Sequence, residues 1–177
     1  MDEIGPDLEL GFMQHLWAPW RSEYITHTQP ERGDCLFCRV SSEANDVENM
    51  VAWRGRETLV MMNLYPYNSG HVMVVPYAHV SSPEGLTASA GNDLMAALQL
   101  TLGVLRRALV PHGFNLGANL GTVAGAGIAD HFHLHVVPRW DGDTNFMPLL
   151  GETKVIPEHI RSTYQRLVGE FEVDLSS

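Results

Sequence analysis

The sequence predicts an α+β fold, in which a mainly antiparallel sheet carries one long helix and a C-terminal helix. Strand-like patterns stand before and after a helix predicted over residues 91–110. Within that helix the leucines recur at intervals of three and four, which aligns them on one face directed toward a core. They are Leu94, Leu98, Leu102, Leu105 and Leu109. Strands grouped on both sides of a single long helix favour an antiparallel sheet.

The other elements are predicted from short apolar runs and from the residues that end them. The predicted strands cover residues 50–54, 57–63, 70–75, 114–119 and 131–137. Gly55 separates the first two strands, which predicts a hairpin, and Pro76 ends the third. A glycine-rich loop over residues 121–127 joins the last two strands, and a second helix is predicted over residues 157–171.

Length and charge restrict the classes of protein and partner. The chain has 177 residues, enough for one domain with a substantial core, and a formal net charge of −10, which disfavours a nucleic-acid partner. No apolar run approaches the roughly 20 residues needed to cross a bilayer. The acidic residues 1–11 lack the basic region of a secretory signal. We therefore expect a cytoplasmic protein that has neither nucleic acid nor a membrane as partner.

Three histidines alternate along the last predicted strand. Because alternate side chains of a strand share a face, His131, His133 and His135 should project together while the apolar residues between them face the core. Two chemistries fit such a row. One is metal binding by imidazoles, and the other is nucleophilic attack on phosphorus with neighbouring hydrogen-bond donors. Imidazole suits the second because it titrates near neutral pH.

The two cysteines of the chain, Cys35 and Cys38, form a C-x-x-C pair. In an intracellular protein this spacing indicates metal or redox chemistry more than a structural disulfide. It supplies one half of a tetrahedral zinc site, which needs two further ligands. The alternative is a pair of reduced, buried thiols that bind no metal.

The sequence HFHLHVVP at residues 131–138 resembles the pattern of the histidine triad family, in which histidines and apolar residues alternate. Further similarity to that family lies in DCLFC at 34–38, GHVMVVP at 70–76 and NLGANLG at 115–121. The segment 138–148 resembles the branch that contains diadenosine tetraphosphate phosphorylases and hydrolases. The resemblance implies an enzyme that cleaves a purine nucleotide or dinucleoside polyphosphate.

The resemblance also implies roles for the three histidines. His133 would be the nucleophile that forms a nucleotidyl-histidine intermediate. His135 would contact the phosphate oxygens and the leaving group, and His131 would hold His133 in a usable tautomer from behind. Other reactions of the same site remain open, namely those of a nucleoside phosphoramidase or adenylyl-lysine hydrolase, and so does a nucleotide-binding interaction protein without turnover. Either water or inorganic phosphate would resolve the intermediate.

The nucleotide-binding residues are implied in the same way. Asn63 corresponds to a position that contacts the ribose, and His71 belongs to a segment that lines the nucleotide site. The phosphate would be bound by Asn119 and by backbone amides of the glycine-rich loop, at Gly121, Gly125 and Gly127. Closely spaced backbone amides bind anions without net charge. Gly127 and Ile128 replace a polar pair that many family members carry before the first triad histidine.

In some relatives a zinc ion is held by ligands that correspond to Cys35, Cys38, His79 and His131. Such a zinc would be structural, and His131 would be committed to it through one ring nitrogen. Family members are generally homodimers that pair through the long helix and a strand. The domain organisation predicted for this chain is a leader over residues 1–30, a catalytic domain over 31–148 and a helical tail over 149–177 packed on the same domain.

Overall fold

The computed structural model describes residues 35–143 and 158–175. The predicted leader, with its tryptophans at positions 17 and 20, and residues 144–157 lie outside the described part. The helices are α1 (Leu36–Ser42), α2 (Ala88–Leu109) and α3 (Ile160–Leu175). The strands are β1 (Val51–Arg54), β2 (Thr58–Met62), β3 (Val72–Pro76), β4 (Gly113–Gly117) and β5 (Leu134–Arg139). Among the described residues, no helix has the length and apolarity that crossing a bilayer requires.

The strands form one sheet in the order β1-β2-β3-β5-β4, and every neighbouring pair is antiparallel. The predicted α+β class with a mainly antiparallel sheet is therefore confirmed. The hairpin around Gly55 is formed, and the Gly55 N–H donates to the Thr58 carbonyl at 2.7 Å. β5 lies between β3 and β4, so the segment that carries the histidines runs into the interior of the sheet.

The sheet is covered by apolar residues on both faces. On one face, α2 and α3 pack against the strands, and the leucine stripe of α2 lies in or against this cluster together with Tyr164 and Leu167 of α3. On the other face, Phe37 and Val40 of α1 form a second cluster with Leu59 and Val75. The apolar side chains that alternate with the triad histidines, Phe132, Leu134 and Val136, join the first cluster, as their alternation predicts.

The element boundaries differ from the predicted ones for local reasons. α2 begins at Ala88, three residues early, because the Thr87 hydroxyl caps it by accepting from the Ala90 N–H at 3.1 Å. α2 ends at Leu109, where Val110 adopts a left-handed conformation before Pro111.

β5 also begins later than predicted, at Leu134. The Phe132 N–H donates instead to the Val80 carbonyl at 2.6 Å, outside the regular ladder. His131 and His133 therefore lie in irregular chain just before the strand, and His135 lies within it.

Candidate active site

The three histidines converge where the chain enters β5, but their side chains differ in exposure. His131 is fully buried and His133 is 6% exposed, while His135 is half-buried. The His133 and His135 rings meet edge to face, with centroids 4.9 Å apart. Phe37 of α1 packs against His133 and His131, with centroid distances of 4.9 Å and 5.3 Å.

Hydrogen bonding fixes which nitrogen of His133 can react. Its Nδ1 lies 2.9 Å from the carbonyl oxygen of His131, so Nδ1 carries the hydrogen and donates it. Burial lowers the pKa of the His133 imidazole, and this hydrogen bond only partly opposes the effect. A neutral ring protonated at Nδ1 presents the lone pair of Nε2. His133 is therefore held in the form that attacks an electrophile.

A second chain of hydrogen bonds assigns the tautomer of His135. The Tyr67 N–H donates to His71 Nδ1 at 3.0 Å, so a neutral His71 carries its hydrogen on Nε2. His71 Nε2 in turn lies 3.0 Å from His135 Nδ1, which must accept. A neutral His135 then carries its hydrogen on Nε2. One imidazole thus presents a lone pair and its neighbour presents a donor.

The loop between β2 and β3 supplies the surroundings of His71. The Asn63 amide nitrogen lies 3.4 Å from the His71 ring, and its Oδ1 accepts from the Tyr65 N–H at 2.9 Å. The Tyr67 ring is tilted against both His71 and His135, with centroid distances of 4.7 Å and 5.9 Å. Asn63 and His71, which the sequence placed in the nucleotide site, therefore lie beside the triad.

Some hydrogen-bond donors of the glycine-rich loop bind to acceptors within the loop itself. The Asn119 amide donates to the Gly125 carbonyl at 3.2 Å, and the Gly125 N–H donates to the Thr122 carbonyl at 2.9 Å. Gly121 and Gly125 both have positive φ, 79° and 86°, which only glycine adopts readily. In this conformation Asn119 and the Gly125 amide hold the shape of the loop, and phosphate binding by Asn119, Gly121, Gly125 and Gly127 stays a prediction.

A second cluster lies behind the triad and unites the four predicted metal ligands. One ligand atom each from Cys35, Cys38, His79 and His131 lies within 4.8 Å of all the others. His131 Nδ1 is 3.3 Å from both Cys35 Sγ and His79 Nδ1, and Cys38 Sγ is 3.2 Å from His79 Nδ1. In a tetrahedral zinc site, two nitrogens are about 3.3 Å apart and a nitrogen and a sulfur about 3.6 Å. The observed spacings fit that geometry.

The protonation of His131 also suits a cation. His131 Nε2 donates to the Pro76 carbonyl at 2.8 Å, which leaves the Nδ1 lone pair directed at the cysteines. Burial lowers the pKa of His131, chiefly by desolvation, and so keeps its ring neutral. Burial and the neighbouring Cys35 raise the pKa of the Cys38 thiol, an effect that a bound divalent cation would oppose by favouring the thiolate.

Comparison with known proteins identifies the family of this chain. A family model described as HIT domain matches residues 45–142. A relative named AP-4-A phosphorylase, from Mycobacterium tuberculosis, is 42% identical over 165 residues, which are 90% of this chain and 85% of that protein. The chain belongs to the HIT domain family.

Other similar proteins match over shorter stretches. A bis(5'-nucleosyl)-tetraphosphatase (asymmetrical) of Schizosaccharomyces pombe is 30% identical over 97 residues, which are 55% of this chain and 53% of that protein. Among solved structures, a Zn-bound histidine triad family protein from Mycobacterium smegmatis aligns with a TM-score of 0.65 at 23% identity. That alignment covers 81% of this chain and 98% of the other, and it shows that the two share the HIT fold.

Several residues that shape this HIT site were not predicted from the sequence. Phe37 supports two triad rings, and the Tyr67 N–H and the Pro76 carbonyl each set a tautomer. The only local signal for Phe37 is its position between the two cysteines. No local signal marks the two backbone groups, because their role depends on contacts made across the sheet.

Proposed function

We propose that this HIT protein cleaves a phosphoanhydride bond of a dinucleoside polyphosphate, with diadenosine tetraphosphate as the first substrate to test and inorganic phosphate as the acceptor. The observation that carries this proposal is the complementary pair at the triad. His133 Nε2 presents a lone pair, and the adjacent His135 Nε2 presents a hydrogen. This arrangement suits attack on phosphorus, because one ring attacks while the other donates to the oxygen that leaves.

In the first step His133 Nε2 attacks the α-phosphorus of one nucleoside. The new N–P bond forms as the bond from phosphorus to the bridging oxygen breaks, and the electron pair of that bond remains on the departing polyphosphate. His135 Nε2–H hydrogen-bonds to this oxygen as its charge grows. The His133 ring is cationic while it carries the nucleotidyl group. The His131 carbonyl, which accepts from Nδ1, stabilises that charge.

In the second step an oxygen of inorganic phosphate attacks the same phosphorus. The N–P bond breaks, its electron pair returns to His133 Nε2, and a nucleoside diphosphate leaves. Diadenosine tetraphosphate would thus give ATP and ADP. The relative named AP-4-A phosphorylase supports phosphate as the acceptor, because its similarity extends over 90% of this chain.

Product analysis separates this reaction from the other candidates. The protein is incubated with diadenosine tetraphosphate in the presence and absence of inorganic phosphate, and the nucleotides are resolved by ion-exchange chromatography. ATP and ADP formed only with phosphate identify a phosphorylase, and ATP and AMP formed without phosphate identify a hydrolase. Turnover of an adenosine phosphoramidate in place of diadenosine tetraphosphate would favour the phosphoramidase alternative and overturn the proposal.

We propose in addition that Cys35, Cys38, His79 and His131 hold a structural zinc ion. The spacing of their ligand atoms supports this assignment, and the solved Zn-bound protein from Mycobacterium smegmatis has the same fold. A zinc ion would link the start of α1 to the chain entering β5. Its thiolate ligands require a reducing compartment, in keeping with the cytoplasmic location that we expect.

We propose that the protein forms a homodimer through β4 and the outer face of α2. β4 stands at one edge of the sheet formed by the described residues, and its residues from Asn115 to Gly117 are exposed. Leu116 on that edge is 48% exposed and Met95 on α2 is 53% exposed. Pairing of two edges would hide these apolar groups and the open backbone donors and acceptors.

A further inference from the structure

The carboxylate of Asp143, just beyond β5, is the centre of a dense set of hydrogen bonds. Its side chain is only 9% exposed. Arg139 donates to both carboxylate oxygens, from Nε at 2.6 Å and from Nη2 at 2.7 Å. The Trp140 N–H and the Asn68 side-chain amide donate to Oδ2 at 3.1 Å and 2.8 Å. A carboxylate held by an arginine fork and two further donors has one fixed orientation.

Asn68 connects this carboxylate to the loop that carries His71. It is 6% exposed, and its amide nitrogen donates to both Asp143 and the Pro138 carbonyl, at 2.8 Å and 3.1 Å. Both amide hydrogens are thereby used, so the side chain has no alternative donor arrangement. The Asn68 carbonyl accepts from the His71 N–H at 3.2 Å. Asn68 is thus fixed to the end of β5 by its side chain and to His71 by its backbone.

The residue before Asn68 is Tyr67, whose N–H donates to His71 Nδ1. That donor determines that His71 carries its hydrogen on Nε2 and that His135 Nδ1 accepts. If the Tyr67 N–H moved away, His71 could carry its hydrogen on Nδ1 instead. His71 Nε2 would then accept from His135 Nδ1, and His135 would be left with a lone pair at Nε2 in place of a donor.

We propose that Asp143 is a positioning residue for His135, and that it acts through Asn68, the Tyr67 N–H and His71. This inference rests on the proposed function, since the hydrogen on His135 Nε2 has a role only if it meets a leaving group. These contacts connect the segment that follows β5 to His135, and they determine that its Nε2 carries the hydrogen. Arg139 and the Trp140 N–H take part as fixed neighbours of the carboxylate.

We call the chain of contacts from Asp143 through Asn68, the Tyr67 N–H and His71 to His135 the relay. The test uses two substitutions in the relay and one matched control, all in the full-length protein. Asp143→Asn keeps the shape but removes the charge, and Asn68→Ala cuts the link while leaving the Arg139–Asp143 pair in place. The control is Asp46→Asn. Asp46 also accepts from both Nε and Nη2 of an arginine, Arg54, at 2.9 Å and 2.7 Å, but it lies in a different loop, before β1.

The first readout requires no turnover. Long-range ¹⁵N–¹H correlation of the histidine side chains reports which nitrogen of His135 carries the hydrogen. We expect Nε2–H in the native protein and in Asp46→Asn, and a mixture of tautomers or loss of Nε2–H in the two relay variants. A relay variant that keeps the native His135 tautomer overturns the inference, whatever its stability. If Asp143→Asn does not fold, Asn68→Ala alone decides.

The second readout is the cleavage of diadenosine tetraphosphate with inorganic phosphate. Each relay variant should lower kcat about 10- to 100-fold, by analogy with the loss on removing a partner that orients a metal-binding histidine, with a much smaller change in KM. The double variant should be no slower than the slower single variant, because both substitutions break one chain of contacts. The inference is overturned if the losses in kcat of the two single variants multiply in the double variant. It is also overturned if Asp46→Asn loses as much kcat as the relay variants.

Failure of the proposed function gives a different pattern. In that case the native protein does not cleave the dinucleotide, while the tautomer of His135 still responds to Asp143→Asn. If the native protein and the relay variants are all fully active, the proposed function stands and the positioning role of Asp143 is rejected.

Discussion

His71 Nε2 lies 3.0 Å from His135 Nδ1, although 64 residues separate the two in sequence. The contact arises because β3 and β5 are antiparallel neighbours, with Met73 opposite His135. It joins a residue outside the triad to the triad member nearest the leaving group in the proposed reaction. The chemistry of His135 therefore depends on the β2–β3 loop as well as on its own strand.

The covalent route predicts that His133→Ala abolishes nucleotidylation and lowers turnover by several orders of magnitude, since the nucleophile is lost. Denaturing mass spectrometry after rapid mixing with substrate should detect the adduct in the native protein only. His112→Ala is the matched control, because the His112 side chain is 58% exposed and lies outside the triad. Near-normal turnover in His133→Ala would reject the mechanism.

His135→Ala should have a smaller effect on turnover. Removing one donor to a developing negative charge typically costs about 100- to 1000-fold in kcat, and the nucleophile His133 remains. The deficit should shrink with substrates whose leaving group is a weaker base, since such a group needs less stabilisation. Rates measured for a series of adenosine phosphoesters test this. An equal deficit across the series would mean that His135 does not act on the leaving group.

Removal of zinc should lower thermal stability more than it lowers the rate of the folded protein, because the four ligands join separated segments and stand behind the nucleophile. Elemental analysis of protein prepared without chelator should find one zinc per chain. Cys38→Ser should lose it, and Ser41→Ala, on the same helix, should retain it. If the native protein contains no metal and its thiols react freely, the zinc site is rejected and the cysteines are a reduced pair that binds no metal.

The sequence was sufficient for features that depend on local periodicity. The leucine stripe predicted α2, and the period of two along residues 131–136 separated the histidines from Phe132 and Val136, although the first two histidines precede the regular strand. The metal cluster followed from spacing together with family resemblance. In each case the relevant side chains are close in sequence or belong to a motif that covers them.

Long-range polar contacts were not predictable in the same way. Asn68 and Asp143 are 75 residues apart and meet through sheet register, and neither has a local pattern that marks it as buried. The Asn119 amide donates to the Gly125 carbonyl of its own loop, a contact that no local pattern indicates. Backbone carbonyls such as that of Pro76 carry no sequence signal at all, because every residue has one.

The proposed dimer predicts a species of about twice the chain mass of 19.7 kDa in sedimentation velocity at micromolar concentration. Leu116→Lys should shift it toward monomer, because a charge on an edge strand opposes pairing. Val173→Lys is the control, since Val173 is similarly exposed, at 58%, but lies on α3. A native protein that sediments as a monomer would contradict the prediction.

Gly70 connects stability to the site, because it immediately precedes His71. Its φ is 72°, a conformation that side chains with a Cβ adopt with strain, and an added Cβ would overlap the Leu109 side chain. We expect Gly70→Ala to lower the free energy of unfolding by about 1–3 kcal/mol, from left-handed strain and overpacking that Leu109 relieves only in part. Urea denaturation measures this loss.

Gly91→Ala is the matched substitution for Gly70→Ala. Gly91 lies within α2, and an added Cβ there meets nothing within 4 Å. The same chemical change should raise the free energy of unfolding by about 0.5–1 kcal/mol, because alanine loses less conformational freedom in a helix. Gly70→Ala should also slow turnover at temperatures where it remains folded, since a shift at this position moves the His71 ring that contacts His135. If Gly70→Ala keeps the stability and turnover of the native protein, the prediction is wrong, because the loop then accommodates the added methyl group without displacing His71.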